Sequence, residues 1–250
     1  MIRKIIIIIR NIAKLFGILI IRDAPSNTPQ KQLSTVLKLL KIDVVFDIGA
    51  NEGQFAREIR QHGYSGKIIS FEPLTSARKN LLSFASRDPG WQVHEQSAIG
   101  DQDGEIEIHI SGNSVSSSVL PMLESHSSAA VGSAYVGSER VLIFKLDSIA
   151  NRYLDKNSNL FIKIDTQGYE WQVLDGGGVT LKQAKGVLCE LSLVPLYHEQ
   201  RLWRDIVNRL DQQGFMLWAL QKGFTNSKTG QSLQMDGIFI KKTELKKIYS

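Results

Sequence analysis

Apolar and polar positions fall into blocks along this chain, and the period and length of each block assign it to a helix or a strand. Residues 31–41 repeat apolar positions at helical spacing and predict a short leading helix. The apolar run at 43–48 predicts strand one, with its helix over 52–62. Strand two is read at 67–72, then a helix over 75–87 with Thr75 as its N-cap. Strand three covers 91–96, and Glu105-Ile106-Glu107-Ile108-His109-Ile110 alternates as a half-exposed strand does. Residues 111–138 have little periodicity and are rich in Ser and Gly, which marks a functional or mobile loop, with His126 solvated within it. Val141–Leu146 reads as a strand, 147–155 as a helix and Leu160–Asp165 as strand four. A helix opens at Tyr169–Leu174 and ends in Gly176-Gly177-Gly178. Strand five is read at 186–193 and a helix at 199–213, with Phe215–Leu220 and Ile238–Lys241 closing the sheet as a hairpin. Strands alternating with helices predict an α/β fold with a mainly parallel, doubly wound sheet.

The first 22 residues follow a different pattern. Isoleucines dominate, but Arg10, Asn11 and Lys14 interrupt them, so the stretch of about twenty apolar residues that a spanning helix needs is missing. A signal peptide fits poorly as well, because charges fall inside the apolar region and no small-residue cleavage site follows. At helical period Arg3, Arg10, Lys14 and Gly17 share one stripe, and Ile5, Ile8, Ile9, Ile12, Phe16 and Ile20 cover the rest. Such a helix suits a membrane surface, or packing on the body or on a second subunit of a homodimer. Asp23–Pro29 is a turn-rich linker. The chain therefore divides into residues 1–41 (amphipathic helix, linker and leading helix), a 42–242 catalytic-type domain and a basic tail at 243–250.

The chemistry concentrates where strands end. Asp47-Ile48-Gly49-Ala50-Asn51-Glu52-Gly53 closes strand one, and Phe71-Glu72-Pro73 closes strand two about twenty residues later. That is the form of a nucleoside-binding βα turn with a carboxylate for the ribose hydroxyls. A dinucleotide fingerprint would place glycine where Asp47 stands, and a carboxylate there repels pyrophosphate. Asp47 instead suits a cationic ligand, which S-adenosylmethionine is. These two motifs, together with Ser97-Ala98-Ile99-Gly100-Asp101 and Ile162-Lys163-Ile164-Asp165-Thr166-Gln167-Gly168-Tyr169-Glu170, resemble the FkbM-type methyltransferases from about Val44 to about Lys241. Many members of that family carry glutamate where this chain has Gln167.

The resemblance implies a class I Rossmann-like fold with a seven-stranded sheet ending in an antiparallel hairpin, and S-adenosyl-L-methionine as cofactor. It implies that Asp47, Gly49, Ala50, Asn51 and Gly53 line the methionine and ribose part of the donor. Glu72 and Pro73 then hold the ribose, Ser97 and Ala98 the adenine, and Asp165 touches donor or acceptor. An alcohol acceptor needs a proton acceptor. Asp165, beside Lys163 at the end of strand four, is the leading candidate, and Glu190 and His198 follow. No metal is expected, since no spaced His/Asp set or Cys pair is present. The lone Cys189 lies in an apolar run and reads as a buried hydrophobe.

Charge narrows the acceptor. The chain is formally +5, but its first 22 residues hold five basic residues and no acid, and residues 241–250 hold four lysines against one glutamate. The stretch between is net −3, which argues against a nucleic-acid enzyme with a basic stripe beside its pocket. The expectation is O-methylation of a sugar, glycan or secondary-metabolite hydroxyl, in the cytoplasm or peripherally at a membrane. The alternatives are transfer to nitrogen or to a lipid head group, and a non-catalytic adenosylmethionine-binding or membrane-associated protein.

Overall fold

The computed structural model describes residues 2–249, and side chains from Ile5 to Ile248. Met1, Ser250 and the side chain of Arg3 on the expected cationic stripe lie outside the described residues, as does the side chain of Lys4. Helix α1 (Ile2–Leu15) comes first and α2 (Pro29–Leu39) leads into the domain. The first half of the domain is β1 (Val44–Ile48), α3 (Gln54–Gln61), β2 (Lys67–Phe71), α4 (Thr75–Ala85) and β3 (Trp91–Val93). Next come β4 (Ser97–Gly100), β5 (Gly104–Ser111), α5 (Glu124–Ser127), β6 (Tyr135–Lys145), α6 (Leu146–Ile149) and a single 3-10 turn at Ala150–Arg152. The last part is β7 (Leu160–Ile164), α7 (Glu170–Gly176), α8 (Gly178–Gln183), β8 (Ala184–Ser192), α9 (Trp203–Gln212), β9 (Phe215–Lys222), β10 (Gln234–Lys241) and α10 (Lys242–Tyr249).

Seven strands form one sheet in the order β3-β2-β1-β7-β8-β10-β9, and β10 alone is reversed, pairing antiparallel with both β8 and β9. The expected Rossmann-like sheet with its final hairpin is present. The order reverses between β1 and β7, and a crevice at the carboxyl ends of the strands is the place where such sheets bind ligands. Continuous apolar runs explain the central strands, since β1 and β7 are buried at every position. One core cluster, including Phe46, Ile162 and Phe239, packs on one face, and a second, including Val45, Ile68 and Phe161, packs on the other.

Four features depart from the sequence reading. A separate three-stranded sheet, β4-β6-β5, stands beside the main one. Ser97 therefore begins a strand of that sheet instead of ending strand three. Thr75 is the first residue of α4 and not its cap; its backbone N–H and hydroxyl bond the Glu139 carboxylate. The basic segment at the end is a helix and not a free tail: Leu245 is buried, and Glu244 pairs with Lys185 and Lys247. α1 also ends sooner than the apolar run, because Gly17 adopts φ +71° and the Ile18 N–H bonds back to the Ala13 carbonyl. Among the described residues no helix is long and apolar enough to cross a membrane.

Candidate active site

A cavity of about 490 Å³ opens at the switch point between β1 and β7. Its floor comes from Gly49, Ala50 and Asn51 after β1, Glu72 and Pro73 after β2, and Ser97 and Ala98 of β4. Lys163, Asp165 and Gln167 line it from β7 and the loop that follows. Pro29 and Gln30 of α2 and Ser114, Val115 and Ser117–Val119 of the serine-rich segment form the rim.

The loop after β1 is held from below. Asp47 and Lys163 face each other across the β1–β7 pairing, and Asp47 faces Ser70 across β1–β2. The result is a buried polar row: the Trp91 indole donates to Ser70 Oγ (2.9 Å), and Ser70 donates to Asp47 Oδ2 (3.2 Å). Lys163 Nζ then lies 3.2 Å from Asp47 and 3.4 Å from Asp165. The same ammonium donates to the Gly49 carbonyl (2.8 Å) and the Ile48 carbonyl (3.4 Å). Burial pushes Lys163 toward the neutral form, but the Asp165 and Asp47 carboxylates together outweigh it and hold the ammonium above its ordinary value. Burial pushes the Asp47 carboxyl up, with Lys163 opposing.

This arrangement corrects the expectation for Asp47. Its side chain is 0% exposed and does not line the cavity, so its charge balances Lys163 instead of meeting a cationic ligand. Gly53 is also outside the cavity. At φ +80° it precedes α3, and a Cβ there would stand 2.7 Å from the Trp91 ring. Gly49 is required at the cavity itself: it adopts φ +73°, and a Cβ would stand 1.9 Å from the Asp165 carbonyl oxygen. The loop after β1 and the Asp165 backbone are therefore in direct contact.

Glu72 is buried at the tip of β2, where its carboxylate accepts the backbone N–H of Asn51 (2.7 Å) and of Leu74 (2.8 Å). Burial nevertheless raises its pKa to about 7. Each oxygen accepts one N–H and keeps a second lone pair, and Glu72 lines the cavity.

The Lys-x-Asp-x-x-Gly-x-Glu segment has a structural explanation at each position. Lys163 anchors the β1 loop, and Asp165 opens onto the cavity with its side chain 38% exposed. Gly168 adopts φ +100°, and a Cβ would stand 2.9 Å from the Tyr197 ring. Glu170, the first residue of α7, ties down the loop before it by accepting the N–H groups of Thr166 (2.9 Å) and Gly168 (3.1 Å), and burial raises its pKa to about 7. Gln167, at φ +54°, donates from its amide to Asp165 (2.9 Å) and Glu190 (3.2 Å) and accepts from the Tyr197 hydroxyl (2.9 Å).

Glu190 is brought near Asp165 only through that amide. It does not line the cavity, and burial with the Asp165 and Glu170 charges keeps its carboxyl well above the ordinary range. His198 is not in the site. The Tyr197 ring turns inward and is 1% exposed, so the next side chain points to solvent, and the His198 N–H bonds the Pro121 carbonyl. His126 is buried against the Tyr197 and Phe224 rings instead of solvated, and burial lowers its pKa. Two acids escaped the sequence reading. Asp236 of β10 stands opposite Glu190 and lines the cavity, with burial raising its pKa to about 7; Glu58 of α3 lines it too. Asp236 reaches the cavity through the pairing of the final hairpin with β8, which residue spacing does not encode. Among the described residues no group of three or more His, Cys, Asp or Glu side chains could hold a metal ion.

A sequence profile of the Methyltransferase FkbM domain matches residues 47–217. The chain belongs to the FkbM methyltransferase family. No curated protein matches it. In fold it is similar to the FkbM methyltransferase of Methylobacillus flagellatus KT, at 14% identity and a TM-score of 0.51, covering 78% of this chain and 43% of that one. This FkbM chain thus spans less than half of that structure. Weaker likenesses include a magnesium protoporphyrin IX methyltransferase from Synechocystis PCC 6803 with bound S-adenosylmethionine, at 10% identity and a TM-score of 0.45, covering 85% of this chain and 79% of that one. An rRNA methylase from Streptococcus thermophilus is similar at 10% identity and a TM-score of 0.44, covering 89% of this chain and 99% of that one.

The cofactor of this FkbM domain is S-adenosylmethionine, and the cavity fits it. The glycine at position 49 leaves a cradle that a Cβ would fill, and Glu72 offers free lone pairs in a buried setting suited to a ribose diol. The acids at the cavity, Glu58, Glu72, Asp165 and Asp236, face two lysines, Lys163 and Lys222, a balance suited to a cationic donor.

Proposed function

We propose that this FkbM protein is an O-methyltransferase acting on a hydroxyl of a sugar, glycan or other hydroxyl-rich metabolite, with Asp165 as the proton acceptor. S-adenosylmethionine supplies an electrophilic methyl group on a sulfonium. Gly49, Ala50 and Asn51 would bed its methionine and ribose, Glu72 its ribose hydroxyls, and Ser97 and Ala98 its adenine. Methyl transfer asks the protein chiefly for alignment in a pocket of controlled charge.

The observation that carries the reading is the position of Asp165. It is a carboxylate at the end of a central strand, open to the cavity, whose backbone touches the loop assigned to the donor. Lys163 Nζ and the Gln167 amide fix its two oxygens from the side, so it can accept a hydroxyl proton at Oδ1 or Oδ2 without turning away. The serine hydroxyls at 114 and 117–118 on the rim suit an acceptor with many hydroxyls, and the acidic lining disfavours phosphorylated or carboxylated ones.

The test is transfer of labelled methyl from S-adenosylmethionine to separate pools of glycans, polyols, amines and lipids, with the product bond identified by mass spectrometry. An O-methyl ether from a neutral hydroxyl acceptor is expected. Label found only on nitrogen or on a lipid head group would replace this reading with one of those acceptors.

A further inference from the structure

The proposed chemistry makes no use of α1, and the body does not cover it. Ile5–Ile9 and Ile12 are between 46% and 57% exposed, and Leu15, Phe16 and Leu19 are between 70% and 84% exposed. A soluble monomer rarely leaves so continuous an apolar surface in water. The charges beside it have one sign. Arg3, Lys4, Arg10, Lys14 and Arg22 fall in the first 22 residues, and the first acid, Asp23, is engaged by the Thr28 hydroxyl at 2.8 Å. At 100° per residue Arg10 and Lys14 lie on one side of α1, while Ile5, Ile9, Ile12 and Phe16 fall together on the other. The Arg10 guanidinium donates to the Ile20 carbonyl (2.9 Å), folding apolar residues 18–21 back beside the helix.

We propose that α1 with residues 16–22 docks this protein flat on an anionic lipid bilayer. A wide apolar face bordered only by cations is the composition of helices that lie in the interface plane. A second copy of the chain fits worse: pairing two such helices sets cationic borders side by side with no acid in either segment to answer them. Docking also has a consequence for the cavity. Six residues lie between Arg22 and Pro29 at the rim, so an extended chain of seven steps cannot hold the two more than about 25 Å apart. The cavity mouth then works close to the bilayer surface. The proposal stands apart from the choice of methyl acceptor.

The full-length protein should co-sediment with phosphatidylglycerol-containing vesicles and not with pure phosphatidylcholine, and binding should weaken as salt rises. Near an anionic surface each cation strengthens binding about fivefold, so Lys14→Gln with Arg22→Gln should weaken it on the order of twentyfold. Ile9→Asp with Ile12→Asp should abolish it while leaving the melting temperature unchanged, since the helix lies off the body. Absence of binding to anionic vesicles overturns the proposal. So does a dimer, seen by light scattering, that the Ile9→Asp/Ile12→Asp variant disperses, or a melting temperature that falls in that variant.

Discussion

Replacing Lys163 by Met tests whether Asp47 is a buried counter-charge or a ligand contact. The substitution keeps most of the side-chain volume and removes the ammonium that faces Asp47, Asp165 and two carbonyls of the donor loop. Asp47 would then be a fully buried carboxylate with only Ser70 to answer it. Breaking a buried pair in this way costs about 3–5 kcal/mol, unless the survivor neutralises itself. Neutralisation sets a ceiling. From an ordinary value of 3.8, protonating Asp47 costs about 4 kcal/mol at pH 7 and about 1.6 kcal/mol at pH 5, at about 1.36 kcal/mol per pH unit. The lost carbonyl contacts add a pH-independent penalty of about 1 kcal/mol each. Urea unfolding of Lys163→Met should therefore show a deficit that shrinks by about 2–3 kcal/mol between pH 7 and pH 5. Adding Asp47→Asn should recover most of the pH 7 loss. An equal deficit at both pH values, with no rescue by Asp47→Asn, would refute the pairing and return Asp47 to the ligand.

Glu72→Gln should weaken donor binding on the order of 10–100-fold in titration calorimetry, because a ribose diol loses a charged acceptor. Since burial raises Glu72 to about 7 and the diol needs the ionised form, wild-type affinity should fall up to tenfold per pH unit below 7, and the variant should be flat there. Without ligand the sign reverses: Glu72 favours the folded state below its ordinary 4.5 and loses that contribution as pH rises through about 7, so the melting temperature should decline over that interval. Gly49→Ala, forced to φ +73° with its Cβ 1.9 Å from the Asp165 carbonyl, should lose more than about 2 kcal/mol of stability and most donor affinity. A folded Gly49→Ala with normal affinity would move the donor away from this loop.

The central strands were legible because full burial writes itself as continuous apolar runs, and β1 and β7 lie within a residue of their sequence readings. Gly49, Glu72 and Asp165 were legible because a strand end followed by glycine or by a carboxylate is a local pattern. The second sheet was not. β4 is four residues long, and its existence depends on parallel pairing with β6, some forty residues away, which no local period records. Asp47 was misread for the same reason: its partner Lys163 is set by strand register, and a lone carboxylate in sequence looks free. His198 looked available because it falls just before the helix read at 199–213, beyond the end of strand five, and only the inward turn of Tyr197 reveals that it faces away. Asp236 needed the antiparallel return of β10 against β8 to reach the cavity.

The most direct measurement of the central claim compares Asp165→Asn with the wild type in two assays: donor affinity by calorimetry, and turnover over pH 6–9 on an accepted hydroxyl substrate. The amide is nearly isosteric but cannot take a proton. The account predicts donor affinity within about threefold of wild type and turnover lowered by a factor on the order of 10²–10⁴ across the range. Turnover near wild type with a folded protein would show that Asp165 serves only as Lys163's partner, and would remove it as the proton acceptor.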